Sequence, residues 1–144
     1  MIKLNETQQK VRTFLIDMIR DPKYLDNTTI YQKVSNACDL GLDMVKDKDR
    51  KTIGELLCVI SEFEHERGRK LLSAIVVLAN TGLQGEGFFE LADKLGVREK
   101  EITEHPMLTD DKKFSNAMVA QCHNYWNNDN YFNEFYEIPD SDKV

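Results

Sequence analysis

The stretch Leu71-Leu72-Ser73-Ala74-Ile75-Val76-Val77-Leu78 decides the fold, because the spacing of apolar residues changes there. Its apolar side chains follow one another without the three-to-four-residue period of an amphipathic helix, and three of them are β-branched. A short continuous run of this kind is typical of a buried strand, so we predict one over residues 71–78. A single strand leaves its backbone groups unpaired. We therefore expect a partner at 83–89 as a hairpin, at 2–4, or in a second copy of the chain.

Amphipathic helices are predicted on both sides of this strand, because apolar residues recur there every three or four positions. The second helix is expected to be capped by Thr28 or Thr29, and the third by Asp47 or Asp49. The fold class that follows is α+β, mostly α-helical, with four to six helices around a short β-hairpin or small sheet. The order of helices, strand and turn also fits a winged helix. The longer predicted helices cover residues 6–20, 29–39, about 48–67 and 110–126, and shorter ones cover 88–96 and 97–103.

Composition places the chain among soluble globular domains, since 41% of its 144 residues are hydrophobic and 31% are charged. No apolar run approaches the roughly 18 residues that a membrane helix needs, so we predict no membrane partner. The N-terminal segment lacks the apolar stretch of a signal peptide, and the three cysteines form no C-x-x-C pair. Reduced thiols and a cytoplasmic location are therefore expected.

The C-terminal segment differs from the rest of the chain. Residues 127–144 hold five acidic residues against Lys143 alone, within a net charge of −6 for the whole chain. Four aromatic residues are interleaved with these acids, which is unusual for a disordered end. We predict a single globular domain over 1–126 and an acidic aromatic tail over 127–144 that docks on it. Trp126, Tyr131 and Phe135 are the candidate anchors for a protein partner.

Two clusters could form a ligand site. Charged residues crowd the end of the third helix, and the glycines of Gly82-x-x-Gly85-x-Gly87 lie between the predicted strand and the helix at Phe88. A loop in that order can present backbone N–H groups to an anion, although neither the P-loop nor the dinucleotide spacing is present. The histidines and cysteines have no metal-ligand spacing, and no catalytic residue or cofactor is predicted. The candidate ligand-binding or partner-binding residues in these clusters are Glu64, Arg67, Arg69, Ser73, Gly85, Gly87 and Phe88.

The segment from Ile60 to Val77, followed by Gly85-x-Gly87-Phe88-Phe89 and Leu95-Gly96, resembles a family of small uncharacterised bacterial and phage proteins. That family combines Glu-x-Gly-Arg, a Leu-Leu-Ser-Ala-hydrophobic strand and Gly-x-Gly-Phe-Phe, and it usually has proline at the positions of Lys70 and Gln84. The resemblance covers about residues 29–96 and implies no established activity. The layout is also similar to the alkyltransferase-like winged-helix domain. That domain's Pro-Cys-His-Arg motif is replaced here, so alkyl transfer is not implied.

Three functions follow as hypotheses. The first is a non-enzymatic module that acts through protein contacts, with a role in defence, immunity or inhibition and a possible homodimer. The second is a small-ligand-binding protein or enzyme that uses the glycine loop 80–89 together with Arg67 and Arg69. The third is a winged-helix-like protein associated with nucleic acid. The near-neutral body and the absence of Lys or Arg in the segment 80–87 argue against this last class.

Overall fold

The computed structural model describes residues 1–24 and 27–144. Within them the chain forms seven α-helices and two short strands, which confirms a mostly helical α+β fold with a small sheet. The elements are α1 Glu6–Arg20, β1 Thr29–Ile30, α2 Tyr31–Ala37, α3 Asp47–Glu66, β2 Val76–Val77, α4 Glu86–Lys94, α5 Val97–Glu104, α6 Asp111–Trp126 and α7 Asp129–Phe135. Short 3-10 turns occupy Pro22–Tyr24, Leu72–Ile75, Pro106–Thr109 and Asp140–Asp142.

The sheet differs from the one predicted in both length and pairing. β1 and β2 are parallel, with Thr29 opposite Val76 and Ile30 opposite Val77. Half of the predicted strand is instead the 3-10 turn Leu72–Ile75, and β2 pairs with neither 83–89 nor 2–4. Pairing with a second copy of the chain stays a prediction. The run is buried on every side between α3 and α6, so its hydrophobic pattern carried no period that could separate strand from turn.

Pairing with β2 also corrects the start of the second helix. The backbone is extended through Ile30, so α2 begins at Tyr31 and neither Thr28 nor Thr29 caps it. α3 is likewise preceded by Lys46 without a side-chain cap, and the predicted caps Asp47 and Asp49 lie in its first turn. Negative side chains there still favour the helix, because they face its positive end.

The core has two parts. The larger one lies between α1, α3, α6 and the 3-10 turn, around the buried side chains of Phe63, Ile16 and Trp126. The smaller one joins α4 to α6 through Phe88 and Phe114. In the described part of the chain, no helix has the length and apolar character required to cross a membrane.

The two ends of the chain meet across the larger core. Leu4 N donates to the carbonyl of Asp142 at 2.9 Å, and Val144 N donates to the carbonyl of Leu4 at 3.0 Å. α7 packs on the same cluster through Phe132 and Phe135. The segment that follows α6 is therefore held by backbone hydrogen bonds as well as by apolar contacts.

Candidate functional site

A groove of about 530 Å³ lies where the carboxyl ends of β1 and β2 meet the start of α4 and one face of α3. This volume is within the range of about 300 to 1,000 Å³ that is typical of small-molecule sites. Most of the groove wall is apolar. Its apolar side chains come mainly from β1, α3, the end of β2 and the residue after it, and α4, and they include Ile30, Ile53, Leu57, Val77, Leu78 and Phe88.

Glycines shape the groove at two places. Gly85 N donates to Tyr31 Oη at 2.9 Å, and a Cβ at Gly85 would lie only 2.9 Å from that same oxygen. A side chain at position 85 would therefore require the Tyr31 phenol to move away from the start of α4. Gly54 lies in the interior of α3, where glycine costs about 1 kcal/mol relative to alanine. A Cβ there would meet nothing within 4 Å, so Gly54 leaves open space in the wall rather than room for a packed neighbour.

The potential nucleophiles that line the groove are not activated by their surroundings. Burial raises the pKa of the Cys58 thiol, and the nearby Glu62 and Glu90 raise it further, so this sulfur stays a neutral, weak nucleophile. Burial also raises the pKa of the Tyr31 phenol, which keeps its proton. Ser73 Oγ lies 2.6 Å from Ser61 Oγ, with no histidine among the residues that line this groove.

The structure divides the predicted site residues between two places. Ser73, Gly85, Gly87 and Phe88 line the groove. Glu64, Arg67 and Arg69 lie at the end of α3, so the expectation that the two arginines join the glycine loop is wrong. The separation follows from helix geometry, because Cys58 and Glu66 are about 12 Å apart along the axis of α3.

The arginines at the end of α3 are used within the fold. Glu64 is completely buried and accepts one hydrogen bond from Arg12 Nε at 2.9 Å and a second from Arg69 Nε. Arg67 donates to both carboxylate oxygens of Asp142, at 3.0 and 3.2 Å, and to the carbonyl of Ile2 at 2.9 Å. These contacts hold the two chain ends against α3.

The predicted aromatic anchors are mostly enclosed by their own chain. Trp126 is 0% exposed, which corrects its expected place on the surface. Phe135 is partly buried and its ring centroid lies 5.2 Å from the Arg69 guanidinium. Tyr131 is 43% exposed and stacks on Tyr125 with ring centroids 4.4 Å apart. Of the three anchors, Tyr131 alone is exposed, and one face of its ring is covered by Tyr125.

Sequence reasoning missed Arg12, Tyr31 and Gly54. Arg12 is 2% exposed and lies beside Ile16 on the buried face of α1. Its remaining donors reach the carbonyls of Tyr136 at 2.7 Å and Phe135 at 2.8 Å. The available signals were an arginine inside an apolar stripe and a glycine inside a strong helix pattern, since each is unfavourable there without a structural reason.

No protein-family model matches this chain, and neither a curated protein nor a solved structure matches it. The family resemblance drawn from the sequence therefore stays a prediction. Within residues 1–24 and 27–144, no group of three or more His, Cys, Asp or Glu side chains is arranged to hold a metal ion. The fold and groove together define a small helical α+β protein with a largely apolar surface cleft.

Proposed function

We propose that the chain binds a small molecule in the groove between α3, α4 and the strand ends. The observation that carries this proposal is the apolar cleft of about 530 Å³, whose lining includes Gly54 of α3, where an added Cβ would meet nothing within 4 Å. Enclosed apolar surface provides affinity, while a few polar groups fix the orientation of the ligand. This proposal retains the glycine loop of the ligand-binding hypothesis drawn from the sequence, but it no longer includes Arg67 and Arg69.

The polar groups favour a ligand that brings hydrogen-bond acceptors. Tyr31 Oη accepts from Gly85, and its own proton has no acceptor within the described part of the chain. Lys51 adds positive charge on the α3 side, against Glu86 on the α4 side, while the Arg50 guanidinium is paired with Asp47. A neutral or mono-anionic molecule with an apolar body and a carbonyl or carboxylate group satisfies this arrangement.

The protein-contact and nucleic-acid hypotheses remain predictions. The protein-contact hypothesis depended on aromatic anchors at the surface. Trp126 is buried and Tyr131 is the exposed one of the three, so the groove is the better-supported site. Homodimerisation and the bacterial or phage family assignment likewise remain proposals. We also propose a cytoplasmic location, which fits the free thiols of all three cysteines.

A fragment screen by thermal shift, followed by a variant test, examines the ligand proposal. Gly54→Leu fills the cleft, and Gly54→Ala is the matched control because its methyl group meets no neighbour. A ligand at ten times its Kd stabilises the fold by about 1.4 kcal/mol. We expect that stabilisation in the parent and in Gly54→Ala, and its loss in Gly54→Leu.

Alkylation of Cys58 gives an independent readout, since this thiol lines the same cleft. A bound fragment should slow its modification, as followed by mass spectrometry. The proposal is rejected if no fragment of a diverse library binds. It is also rejected if fragments bind Gly54→Leu as well as the parent without protecting Cys58.

A further inference from the structure

Two serine hydroxyls meet at the wall of the groove between α3 and α4. Ser73 lines the groove and is 6% exposed, whereas Ser61 of α3 is 0% exposed and is not part of the lining. Ser61 Oγ accepts from Ser73 N at 3.0 Å, and the two Oγ atoms lie 2.6 Å apart. The pair has two hydroxyl protons, and one hydrogen bond between the oxygens uses only one of them.

Burial decides which serine donates. Neither hydroxyl has another acceptor among the described residues, so one of the two protons is left without a protein partner. If Ser73 donated to Ser61, the leftover proton would be that of Ser61, in a place that neither water nor a ligand reaches. A buried donor without an acceptor is costly. Ser61 therefore donates to Ser73, and the remaining Ser73 proton is a hydrogen-bond donor at the groove wall.

Tyr31 provides a second hydroxyl donor to the same groove. Its Oη accepts from Gly85 N at 2.9 Å, and no described residue accepts the Tyr31 proton. Burial raises the pKa of this phenol, so the proton stays on the oxygen. Like Ser73, Tyr31 lines the groove with a donor that the described fold does not use. Both hydroxyls are therefore matched by a ligand atom that accepts hydrogen bonds.

The first turn of α4 adds two backbone donors. Gly85 precedes this helix, and no side chain caps it. Phe88 N donates to the carbonyl of Gly85 at 3.0 Å, but the N–H groups of Glu86 and Gly87 have no acceptor in the described part of the chain. Both residues line the groove, where the positive end of the helix also favours a negatively charged group.

The charged side chains of the groove do not exclude an anion. Lys51 is exposed on the α3 side, and Glu86 is exposed at the start of α4. These two charges offset each other, while Arg50 is paired with Asp47. The Glu86 carboxylate opposes a second negative charge near it, so Glu86→Gln should strengthen the binding of an anion.

We propose that the groove selects a ligand with an aliphatic body and a carboxylate head, with Ser73 as a specificity-determining donor and Ser61 as the residue that positions its proton. This inference rests on the proposed function, because it concerns the same groove. A carboxylate accepts about four hydrogen bonds, the same number as the unused donors of Ser73, Tyr31 and the α4 start. An alcohol accepts fewer, and an ammonium group accepts none.

The test is an NMR titration with three probes that share one aliphatic chain: hexanoate, 1-hexanol and hexylamine. The shift of the Gly87 amide signal gives each Kd, and protection of Cys58 from alkylation locates the probe in the groove. We expect hexanoate to bind about tenfold more tightly than hexylamine, and more tightly than 1-hexanol. In Ser73→Ala the advantage of hexanoate over 1-hexanol should fall about fivefold. It should be unchanged in Ser115→Ala, which removes a buried hydroxyl of α6 outside the groove lining.

Ser61→Ala tests the positioning role. It leaves the Ser73 hydroxyl in place but lets its proton take other directions, so the hexanoate advantage should fall by less than in Ser73→Ala. The Kd of 1-hexanol should stay as in the parent, and an undiminished hexanoate advantage would contradict the role of Ser61. The double variant Ser61→Ala/Ser73→Ala leaves no unpaired serine, so it takes the place of Ser73→Ala if that variant does not fold.

The inference is overturned if 1-hexanol protects Cys58 but hexanoate binds no more tightly than 1-hexanol or hexylamine, and the groove would then still be a ligand site. It is also overturned if Ser115→Ala lowers the hexanoate advantage as much as Ser73→Ala does. A third contrary result is that no probe shifts the Gly87 signal up to about 20 mM, well above the millimolar Kd of a weak site. In that case the fragment screen decides the proposed function separately.

Discussion

Replacing Glu64 by Gln tests whether the ionic cluster at the end of α3 is a main determinant of stability. The substitution keeps the shape of the side chain but removes the only carboxylate shared by Arg12 and Arg69. Removing one partner of a buried ion pair costs about 3–5 kcal/mol, since the remaining charge is left uncompensated. Glu64 is completely buried and both of its oxygens are used, so we expect about 4 kcal/mol.

This loss would be readily measured. An unfolding entropy of about 2.1 cal/mol/K per residue implies that each kcal/mol shifts the Tm of a 144-residue chain by about 3 °C. The expected drop is therefore about 12 °C. Trp126 is a convenient reporter, because it is the chain's single tryptophan and its ring centroid lies 5.4 Å from the Arg12 guanidinium. Urea unfolding followed by its fluorescence gives the free energy of unfolding directly.

Glu62→Gln is the matched control, since it is the same substitution half a turn away on the same helix. The Glu62 side chain is 28% exposed and lies 3.5 Å from Lys94 Nζ, which is the geometry of a surface pair. Such pairs contribute about 0–1 kcal/mol, so the control should lose no more than that. The reasoning would be refuted if Glu64→Gln lost less than about 1 kcal/mol, or no more than Glu62→Gln.

Three further outcomes are expected. The hydrogen bond from Arg67 lowers the pKa of Asp142 in the folded protein. The ionised Asp142 carboxylate therefore stabilises the fold above its unfolded pKa of about 3.9, and this stabilisation is lost as pH falls through the lower folded pKa. In urea melts at a series of pH values, Asp142→Asn should lower the free energy of unfolding by about 1 kcal/mol at pH 7. At the acid end of the series it should cause no loss. Gly85→Ala should lower the free energy of unfolding by about 1–2 kcal/mol, because its Cβ would meet Tyr31 Oη. Urea melts should show a smaller loss when the same substitution is made in a Tyr31→Phe background. An equal loss in both backgrounds would contradict the contact. In the native state, iodoacetamide should modify Cys58 slowly but before the other two cysteines, because Cys38 and Cys122 are buried. Peptide mass mapping that finds Cys38 or Cys122 modified first would contradict this order.

The helices were predictable from the sequence where one face is buried and the other is exposed to solvent. α1, α3 and α6 begin and end within a residue or two of the predicted positions, because their apolar stripes have the period of a helix. The 3-10 turn Leu72–Ile75 was not predictable in this way. It is buried on all sides, and a segment without a solvent-exposed face has the same pattern whether it is strand or turn. The pairing of β1 with β2 depends on a crossover through α2 and α3, which no local pattern encodes.

The candidate sites were predictable in their parts but not in their grouping. The glycine loop and Ser73 were singled out, and both line the groove. Arg69 was predicted to join that loop, but it follows the end of α3, whereas the last α3 residue that lines the groove is Cys58. Arg12 could not be assigned at all, since its three acceptors lie 52 to 124 residues away in the sequence.

The overall charge illustrates the limit of composition as an argument about ligands. A net charge of −6 argues against an extended phosphate backbone as partner, because such a partner needs many cations on one face. It says nothing about a single oxyanion, which needs only a few donors in one enclosed place. Two of the chain's cations, Arg12 and Arg69, are buried, so the surface is more acidic than the sum suggests.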